Sequence, residues 1–318
     1  MSRFKKTGLY LTGGLGNQLF QFAAALSYSQ SGKIELFEKF GKPRLNSKGE
    51  PEIFSLTVEE IASVSRRAED NLLLRKSSGY LLRSRIWPRK LEKFIITQLL
   101  TDLAASVIQT FNFRDFFYPI SISDVGYRRI NMNRFVRRIF NPMLIGYFQT
   151  SVWPQEIKAK LQLLKLKQEG PEFLKLRVEA SVKRPVVIHI RRGDYKSEST
   201  FGLLGENYYE DAMSIINRQY PTNPVWVFSD EESEARKILG CVPADRVRYI
   251  SDVDGESAAS LMAMRLGCAY VIANSTFSWW GAFLSECEEP LVVAPKPWFV
   301  GQQEPTLLIP SNWYRVDH

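Results

Sequence analysis

Residues 185–195 read PVVIHIRRGDY, and this stretch decides the fold class. Its nearly continuous apolar run predicts a strand that is buried on both faces, which is typical of parallel sheets covered by helices. Similar apolar runs follow at 225–228, 247–250, 269–273 and 291–294, and helical patterns occupy 207–220, 231–239, 256–266 and 277–284. Strands that alternate with helices predict an α/β fold with a parallel sheet.

The first half of the chain opens on a related unit. A predicted strand at 7–11 runs into the turn GGLGN at 13–17 and then into a helical pattern over 18–29. Further elements are predicted as a strand at 141–147 and helices at 156–164 and 171–180, whereas residues 31–130 give mixed signals. The length of 318 residues suits two domains of roughly 150 residues each. We expect a first domain over residues 1–170 and a second over 171–318.

The composition excludes several classes of protein. Hydrophobic residues make up 45% of the chain and charged residues 24%, which excludes a disordered chain. The net charge of +8 suits an anionic partner, which could be a nucleic acid, a membrane surface or a phosphorylated small molecule. The three cysteines lack metal-ligand spacing and indicate no disulfide framework. With no signal peptide pattern and no run of membrane-spanning length, we expect a cytoplasmic protein.

Polar residues lie at the end of the strand predicted at 185–190 and directly after it. Because side chains alternate along a strand, His189 and Arg191 project to one side, and Arg192 and Asp194 project to the other. Arginines at a strand end are costly unless an anion or a carboxylate meets them, and a guanidinium suits a phosphate. Two interpretations stay open. In the first, one arginine binds a ligand and the other pairs with Asp194 or with the domain body. In the second, an arginine and Asp194 form a structural pair that holds a loop.

Two further strand ends carry candidate binding groups. At 274–281 the sequence NSTFSWWG passes from a predicted strand straight into a helix, whose free N–H groups and neighbouring hydroxyls could hold an anion. Ordinary capping of that helix by Ser275 or Thr276 is the structural alternative, and the two are compatible. At 228–230 the sequence FSD ends another strand. The Asp230 carboxylate there either accepts hydrogen bonds from guanine or caps the next helix.

Together these motifs resemble the α-1,2-fucosyltransferase family, glycosyltransferase family 11. The stretches that carry the resemblance are GGLGNQLFQFAA at 13–24, HIRRGDY at 189–195, FSD at 228–230 and NSTFSWWGA at 274–282. The resemblance implies a GT-B-type architecture, in which two Rossmann-like domains face a cleft. It also implies transfer of L-fucose from GDP-fucose to the 2-hydroxyl of a terminal galactoside, with inversion and without a metal or other cofactor.

The resemblance further implies roles for individual residues. Arg191 would bind the diphosphate, and Asn17 would approach the same group from the facing domain. His189 and Asp230 would read guanine or ribose. The other expected donor contacts are Gly14, Gly16, Gln18, Arg192, Asn274, Ser275, Thr276 and Phe277. The candidate catalytic residues are Arg191, Asp194 and His189, and the general base is left open between the last two.

A possible metal motif lies in the sequence DVD at 252–254. It resembles the Asp-x-Asp motif that binds a metal–nucleotide in another class of glycosyltransferase. Its position directly before the helix predicted at 256–266 favours a role at the start of that helix. We expect no metal site, since the chain has only two histidines and no other cluster of metal ligands.

Two alternative functions remain at this stage. The nearer one is the same scaffold with another GDP-sugar or another linkage. The remote one is a nucleic-acid-binding protein, supported by basic stretches at 83–93 and 128–138. Their basic residues are interrupted by apolar ones and no binding fold is evident, so we expect no nucleic acid partner. Two interpretations of these stretches stay open. They are the solvated faces of ordinary surface helices, or they make peripheral contact with the anionic inner face of the plasma membrane, where a lipid-linked galactoside used in O-antigen biosynthesis would be the acceptor.

Overall fold

The computed structural model describes residues 6–29, 31–67, 120–123, 143–196, 202–301, 304–305 and 307–318. Within these residues, the strands form two separate sheets, one from each half of the chain. All of the strand pairs in both sheets are parallel. The α/β class and the pair of Rossmann-like sheets that the sequence predicts are therefore confirmed.

The first sheet is built by the N-terminal half. Its strands are β1 (Thr7–Gly13), β2 (Lys33–Pro43), β3 (Ser63–Arg67), β4 (Ile120–Ser123) and β5 (Met143–Gly146). Its helices are α1 (Leu15–Tyr28), α2 (Val58–Ile61), α3 (Val152–Glu156) and α4 (Lys158–Leu161). The strand order is β3-β2-β1-β5-β4. Because strands 2 and 3 lie on one side of β1 and the later strands on the other, the order reverses between β1 and β5.

The second sheet is built by the C-terminal half. Its strands are β6 (Val186–Ile190), β7 (Val225–Ser229), β8 (Val247–Ile250), β9 (Ala269–Val271), β10 (Leu291–Lys296) and β11 (Tyr314–Asp317). The helices are α5 (Pro171–Lys183), α6 (Glu206–Asn217), α7 (Glu232–Ile238), α8 (Ser257–Met264) and α9 (Thr276–Phe283). The order β11-β10-β9-β6-β7-β8 reverses between β6 and β9. Open parallel sheets bind ligands at such reversals, outside the carboxyl ends of the strands.

An aromatic cluster joins the two halves. Phe20 of α1 lies 4.6 Å from Trp279 and 5.0 Å from Trp280 of α9, measured between ring centroids. All three side chains are fully buried. Ring pairs at these separations gain about 0.5–1.5 kcal/mol each beyond the burial of their area. The two tryptophans of the NSTFSWWGA motif therefore serve packing, and they bring the start of α9 against the start of α1.

Most of the predicted elements of the second half are present, with boundaries that differ by a few residues. The helix predicted at 156–164 is confirmed only over α4, because the backbone leaves helical angles at Ile157 (φ −125°) and separates α4 from α3. Strands β2, β3, β4 and β11 had no counterpart in the sequence-based prediction. The basic stretches at 83–93 and 128–138 lie outside the described residues. The domain boundary at 170/171 stays a prediction.

No helix among the described residues is long and apolar enough to cross a membrane.

Candidate functional site

The glycine turn after β1 meets the N-terminus of α9. A methyl group placed on Gly16 would lie 2.6 Å from the carbonyl carbon and Oγ1 of Thr276 and 2.7 Å from the backbone nitrogen of Phe277. Only a residue without a side chain allows this approach. Gly16 was predicted as a donor contact, where backbone approaches a ligand. Its observed close approach is instead to the backbone of α9, and this contact brings the reversal points of the two sheets together.

Gln18 is a structural residue of the same turn. Its side chain is fully buried. Its amide donates to the carbonyls of Gly13 (2.9 Å) and Arg44 (3.0 Å), and its Oε1 accepts from the backbone nitrogen of Ile53 (3.0 Å). These three bonds fix the turn to the segment 44–53, and a donor contact by Gln18 stays a prediction. Gly14 begins α1 as its N-cap, with unstrained backbone angles.

Glu52 is a functional candidate that the sequence analysis missed. Its side chain is 4% exposed, and it accepts hydrogen bonds from the backbone nitrogen of Leu15 (2.6 Å) and from the hydroxyl of Ser257 (2.8 Å). It thus lies between the N-termini of α1 and α8, where helix dipoles favour a carboxylate. Burial nevertheless raises its pKa, against the opposing effects of Ser257, Arg44 and Leu15. No sequence signal marked this residue, which begins a short 3₁₀ helix over Glu52–Ser55.

Arg191 lies at the carboxyl end of β6 and is held by Asp230. Its Nη1 is 2.9 Å from Oδ2 of Asp230, and both side chains are about a quarter exposed. The other carboxylate oxygen accepts from the backbone nitrogen of Arg192 at 2.9 Å. Asp230 is not the cap of α7, whose N-cap residue is Glu231. The carboxylate therefore orients Arg191 and the turn that carries it.

Arg192 points away from this site, as the alternation along β6 predicts. Its side chain is on the face covered by α6, is 8% exposed, and donates to the carbonyl of Leu204 at 2.7 Å. Its guanidinium is used inside the domain, so Arg192 is the arginine that meets the domain body. Contact of Arg192 with the donor stays a prediction.

His189 lies on the same side of β6 as Arg191. Its ring is buried and its Nδ1 has no hydrogen-bond partner. Burial and, to a smaller extent, the Arg191 guanidinium together lower the pKa of His189 from 6.5 to about 3. The ring of Phe277 is 6.1 Å away between centroids. At neutral pH this imidazole is uncharged, so it can give or accept a hydrogen bond but is a weak base.

The N-terminus of α9 has the features that suit an anion. Ser275 is the N-cap, and its hydroxyl accepts from the backbone nitrogen of Phe277 at 3.3 Å. Thr276 and Phe277 follow as half-buried residues of the first turn. Asn274, in contrast, is 2% exposed, and its amide donates to the carbonyl of Gly202 at 3.3 Å. This bond ties Asn274 to the backbone at Gly202, and its contact with the donor stays a prediction.

Asn17 completes the site from the first sheet. It is half-buried at the start of α1, and its Oδ1 accepts a hydrogen bond from Nε2 of Gln149 at 3.0 Å. Gln149 follows β5, the strand beside β1. A strand was predicted at 141–147, but Gln149 after its end was not predicted as a site residue. The rule that ligand sites lie at the carboxyl ends of strands would have identified it.

The DVD sequence has a structural use in this fold. Both carboxylate oxygens of Asp254 accept backbone hydrogen bonds, from Glu172 at 3.0 Å and from Phe173 at 2.9 Å. These N–H groups belong to the first turn of α5, so Asp254 caps that helix. The sequence had predicted a role at the start of the helix that follows Asp254, and this prediction is wrong. In the part of the chain that the structure describes, no group of three or more acidic, histidine or cysteine side chains is placed to hold a metal.

Asp194 begins a 3₁₀ turn over Asp194–Lys196, directly after Gly193. Its proposed part in catalysis stays a prediction.

Comparisons with known proteins agree with the motifs. The chain is 26% identical to an α-1,2-colitosyltransferase of Escherichia coli, over 96% of this chain and 97% of that protein. It is 24% identical to the O-antigen biosynthesis glycosyltransferase WbnK of Escherichia coli, over 95% and 97%. Among solved structures, fucosyltransferase NodZ from Bradyrhizobium aligns over 89% of this chain and 94% of that one, with 14% identity and a TM-score of 0.48. The family model "Glycosyl transferase family 11" matches residues 93–306, which is more than half of the chain. The chain belongs to glycosyltransferase family 11.

Proposed function

We propose that this glycosyltransferase transfers L-fucose from GDP-fucose to the 2-hydroxyl of a terminal galactoside, with inversion at the anomeric carbon. One observation carries the proposal. The turn after β1 meets the N-terminus of α9 at Gly16, the ring of His189 lies 6.1 Å from that of Phe277 on that helix, and the Arg191 guanidinium is near enough to His189 to lower its pKa. An arginine and a helix N-terminus that converge at the reversal points of two sheets suit a nucleoside diphosphate.

The chemistry follows from this arrangement. When the bond between the sugar and the β-phosphate breaks, its electrons pass to the phosphate oxygen and the anomeric carbon becomes cationic. The Arg191 guanidinium and the N–H groups at the start of α9 stabilise the negative charge on the departing diphosphate. Asp230 keeps the guanidinium in place, with Nη1 of Arg191 2.9 Å from Oδ2 of Asp230. The acceptor hydroxyl attacks from the opposite face, which inverts the configuration.

The proton of the acceptor hydroxyl needs a base. His189 is buried and has a pKa of about 3, so it is a weak proton acceptor near neutral pH. We assign it to hydrogen bonding with guanine or ribose through Nδ1, and we keep Asp194 as the candidate base. The positive charge at the leaving group comes from protein groups, so we propose that transfer needs no divalent metal.

A second candidate function is transfer of a different GDP-sugar. It is favoured by the relative that is named as an α-1,2-colitosyltransferase. Colitose is fucose without its 3-hydroxyl, so a single hydroxyl contact would distinguish the two donors. The other relative is named for O-antigen biosynthesis, which supports a surface-glycan precursor as the acceptor. Contact with an anionic membrane through residues 83–93 and 128–138 stays a prediction.

The test is a matrix of donors and acceptors. The enzyme is incubated with GDP-fucose, GDP-colitose or GDP-mannose, each with a panel of galactose-terminated disaccharides, and the new linkage is located by NMR. The proposal expects an α-1,2-linked fucose as the main product. A preference for colitose would select the second candidate. Absence of any transfer, together with no binding of GDP in calorimetry, would overturn both.

A further inference from the structure

The reversal point of the first sheet carries a polar residue that the donor site does not use. Strand β5 pairs directly with β1, with Leu144 opposite Leu9. The two strands run parallel, so the glycine turn after β1 and the segment after β5 emerge at the same edge of the sheet. Gln149 lies three residues beyond β5 and reaches Asn17 at the start of α1. This is the position at which an open parallel sheet binds its ligand.

Gln149 is buried and only half of its amide is paired. The residue is 8% exposed, its Nε2 donates to Asn17, and its Oε1 has no hydrogen-bond partner. A buried carbonyl without a partner costs about 1–3 kcal/mol, so such groups in native proteins call for an explanation. If the oxygen and nitrogen of the amide were exchanged, an N–H group would be left without a partner. In either orientation, Gln149 offers one unfilled hydrogen bond beside Asn17.

The backbone around Gln149 is held in a costly conformation. Phe148 is a buried, bulky residue with φ +52°, in the left-handed region. Such residues cost about 1–3 kcal/mol and cluster at ligand sites. The segment is fixed by hydrogen bonds from the Ser151 backbone (2.7 Å), the Ser151 hydroxyl (2.8 Å) and the Thr150 hydroxyl (3.2 Å) to the carbonyl of Leu307. These bonds keep the Gln149 side chain aimed at Asn17.

The segment is also tied to the donor helix. Leu308, which follows Leu307, accepts a hydrogen bond from Nε1 of Trp279 at 3.0 Å. Gln149 is therefore anchored, through its neighbours, to the same helix whose N-terminus faces the glycine turn. A rigid and pre-oriented amide of this kind selects ligands by hydrogen bonding, because little entropy is lost when it binds.

We propose that Gln149 recognises a sugar, with its Oε1 accepting a hydrogen bond from a hydroxyl group in the cleft while its Nε2 holds Asn17 in place. The inference rests on the proposed function. A diphosphate offers only acceptor oxygens and would repel Oε1, whereas a sugar hydroxyl donates. The hydroxyl belongs either to the transferred sugar or to the galactoside acceptor, and kinetics distinguishes the two.

The experiment compares three variants of the full chain. Gln149→Met keeps the length of the side chain and removes its hydrogen bonds, and Gln149→Glu keeps an acceptor atom. Gln21→Met is the matched control, because Gln21 is a fully buried glutamine whose side chain bonds to the backbone of Thr12. KM and kcat are measured separately for the donor and the galactoside, and GDP affinity is measured by calorimetry.

We expect Gln149→Met to raise KM for one sugar substrate roughly tenfold or more, with GDP affinity unchanged. Gln149→Glu is expected to recover part of this loss, and Gln21→Met is expected to lower Tm without changing either KM. A raised KM for the donor identifies the transferred sugar, and a raised KM for the galactoside identifies the acceptor. If both KM values stay within about twofold of wild type, or if GDP affinity falls as much as sugar affinity, the proposal is overturned.

Failure of the proposed function is distinguishable from failure of this inference. If the wild-type enzyme uses another GDP-sugar, the same comparison is made with that donor. If it transfers none, calorimetric affinities of wild type and Gln149→Met for galactosides and GDP-sugars replace the kinetics. Equal affinities of the two proteins for all of these ligands would then reject Gln149 as a sugar contact.

Discussion

Replacing Gly16 with alanine has two opposing effects on the stability of the fold. Gly16 is the second residue of α1, and alanine in place of glycine ordinarily stabilises a helix by up to about 1 kcal/mol. The added methyl group would lie 2.6 Å from the carbonyl carbon of Thr276 and 2.7 Å from the nitrogen of Phe277. Those are backbone atoms at the start of α9, so they cannot rotate aside as the end of a flexible side chain could.

The packing effect is the larger of the two. Carbon atoms in contact are normally about 3.5–4.0 Å apart, so α1 and α9 would have to separate locally by roughly 1 Å. That movement loosens the contact between Phe20 and Trp279, whose rings are 4.6 Å apart. Overpacking of this kind typically costs about 1–3 kcal/mol. We expect a net loss of about 1–2 kcal/mol in the free energy of unfolding, and weaker GDP binding because the N-terminus of α9 moves.

Urea denaturation measures the first quantity and titration calorimetry with GDP the second. Gly14→Ala is the matched control for stability, because a methyl group there would meet the flexible side chain of Arg44 at 3.5 Å, which is an ordinary contact. We expect Gly14→Ala to unfold close to wild type. If Gly16→Ala is as stable as wild type or more stable, helix propensity alone governs the position, and the close approach of α1 to α9 described above is wrong.

Three further predictions concern charged groups. Arg191→Ala should slow transfer about 100-fold, a loss of about 3 kcal/mol of transition-state stabilisation, with Tm little changed, whereas Arg236→Ala on the surface of α7 should keep wild-type kinetics. The pKa of about 3 for His189 means that folding disfavours its protonation, so the stability from the neutral ring is complete above pH 6.5 and is lost as the pH falls towards 3. At pH 5 this loss is about 2 kcal/mol, and it should vanish in His189→Asn when urea unfolding is compared at pH 7 and pH 5. Asp254→Ala removes the two hydrogen bonds that cap α5 and should lower the free energy of unfolding by about 1–2 kcal/mol. Transfer by the wild-type enzyme should persist in EDTA. If EDTA stops transfer and Mn²⁺ restores it, the metal-free mechanism is contradicted.

Local sequence patterns predicted the parts of the fold that depend on near neighbours. The apolar run at 186–190 forms a buried strand, and the alternation along it separates Arg191 from Arg192. The motif at 274–281 forms a strand end followed by a capped helix, because Ser275 meets the N–H of a residue two positions away. These features could be predicted from the sequence because the groups that produce them lie within a few residues of one another.

Other features depend on contacts that come from far along the chain. Gln18 and Asn274 belong to the motifs that carry the predicted donor contacts. Both side chains are buried and bond to the carbonyls of Arg44 and Gly202. Nothing in the motifs predicted either of these partners. Glu52 is the converse case, because its place at the site depends on Leu15 and Ser257, on opposite halves of the molecule.

The sequence by itself determined that this chain is an α/β protein, where most strands of its second half lie, and which strand ends carry polar motifs. Only the tertiary structure decided which side chains at those ends face one another. Asn17 and Gln149 are 132 residues apart in the chain and 3.0 Å apart in the fold. The physical reason is that periodicity records whether a residue is buried, whereas the identity of its partner is fixed when the sheets pack and bring distant backbone together.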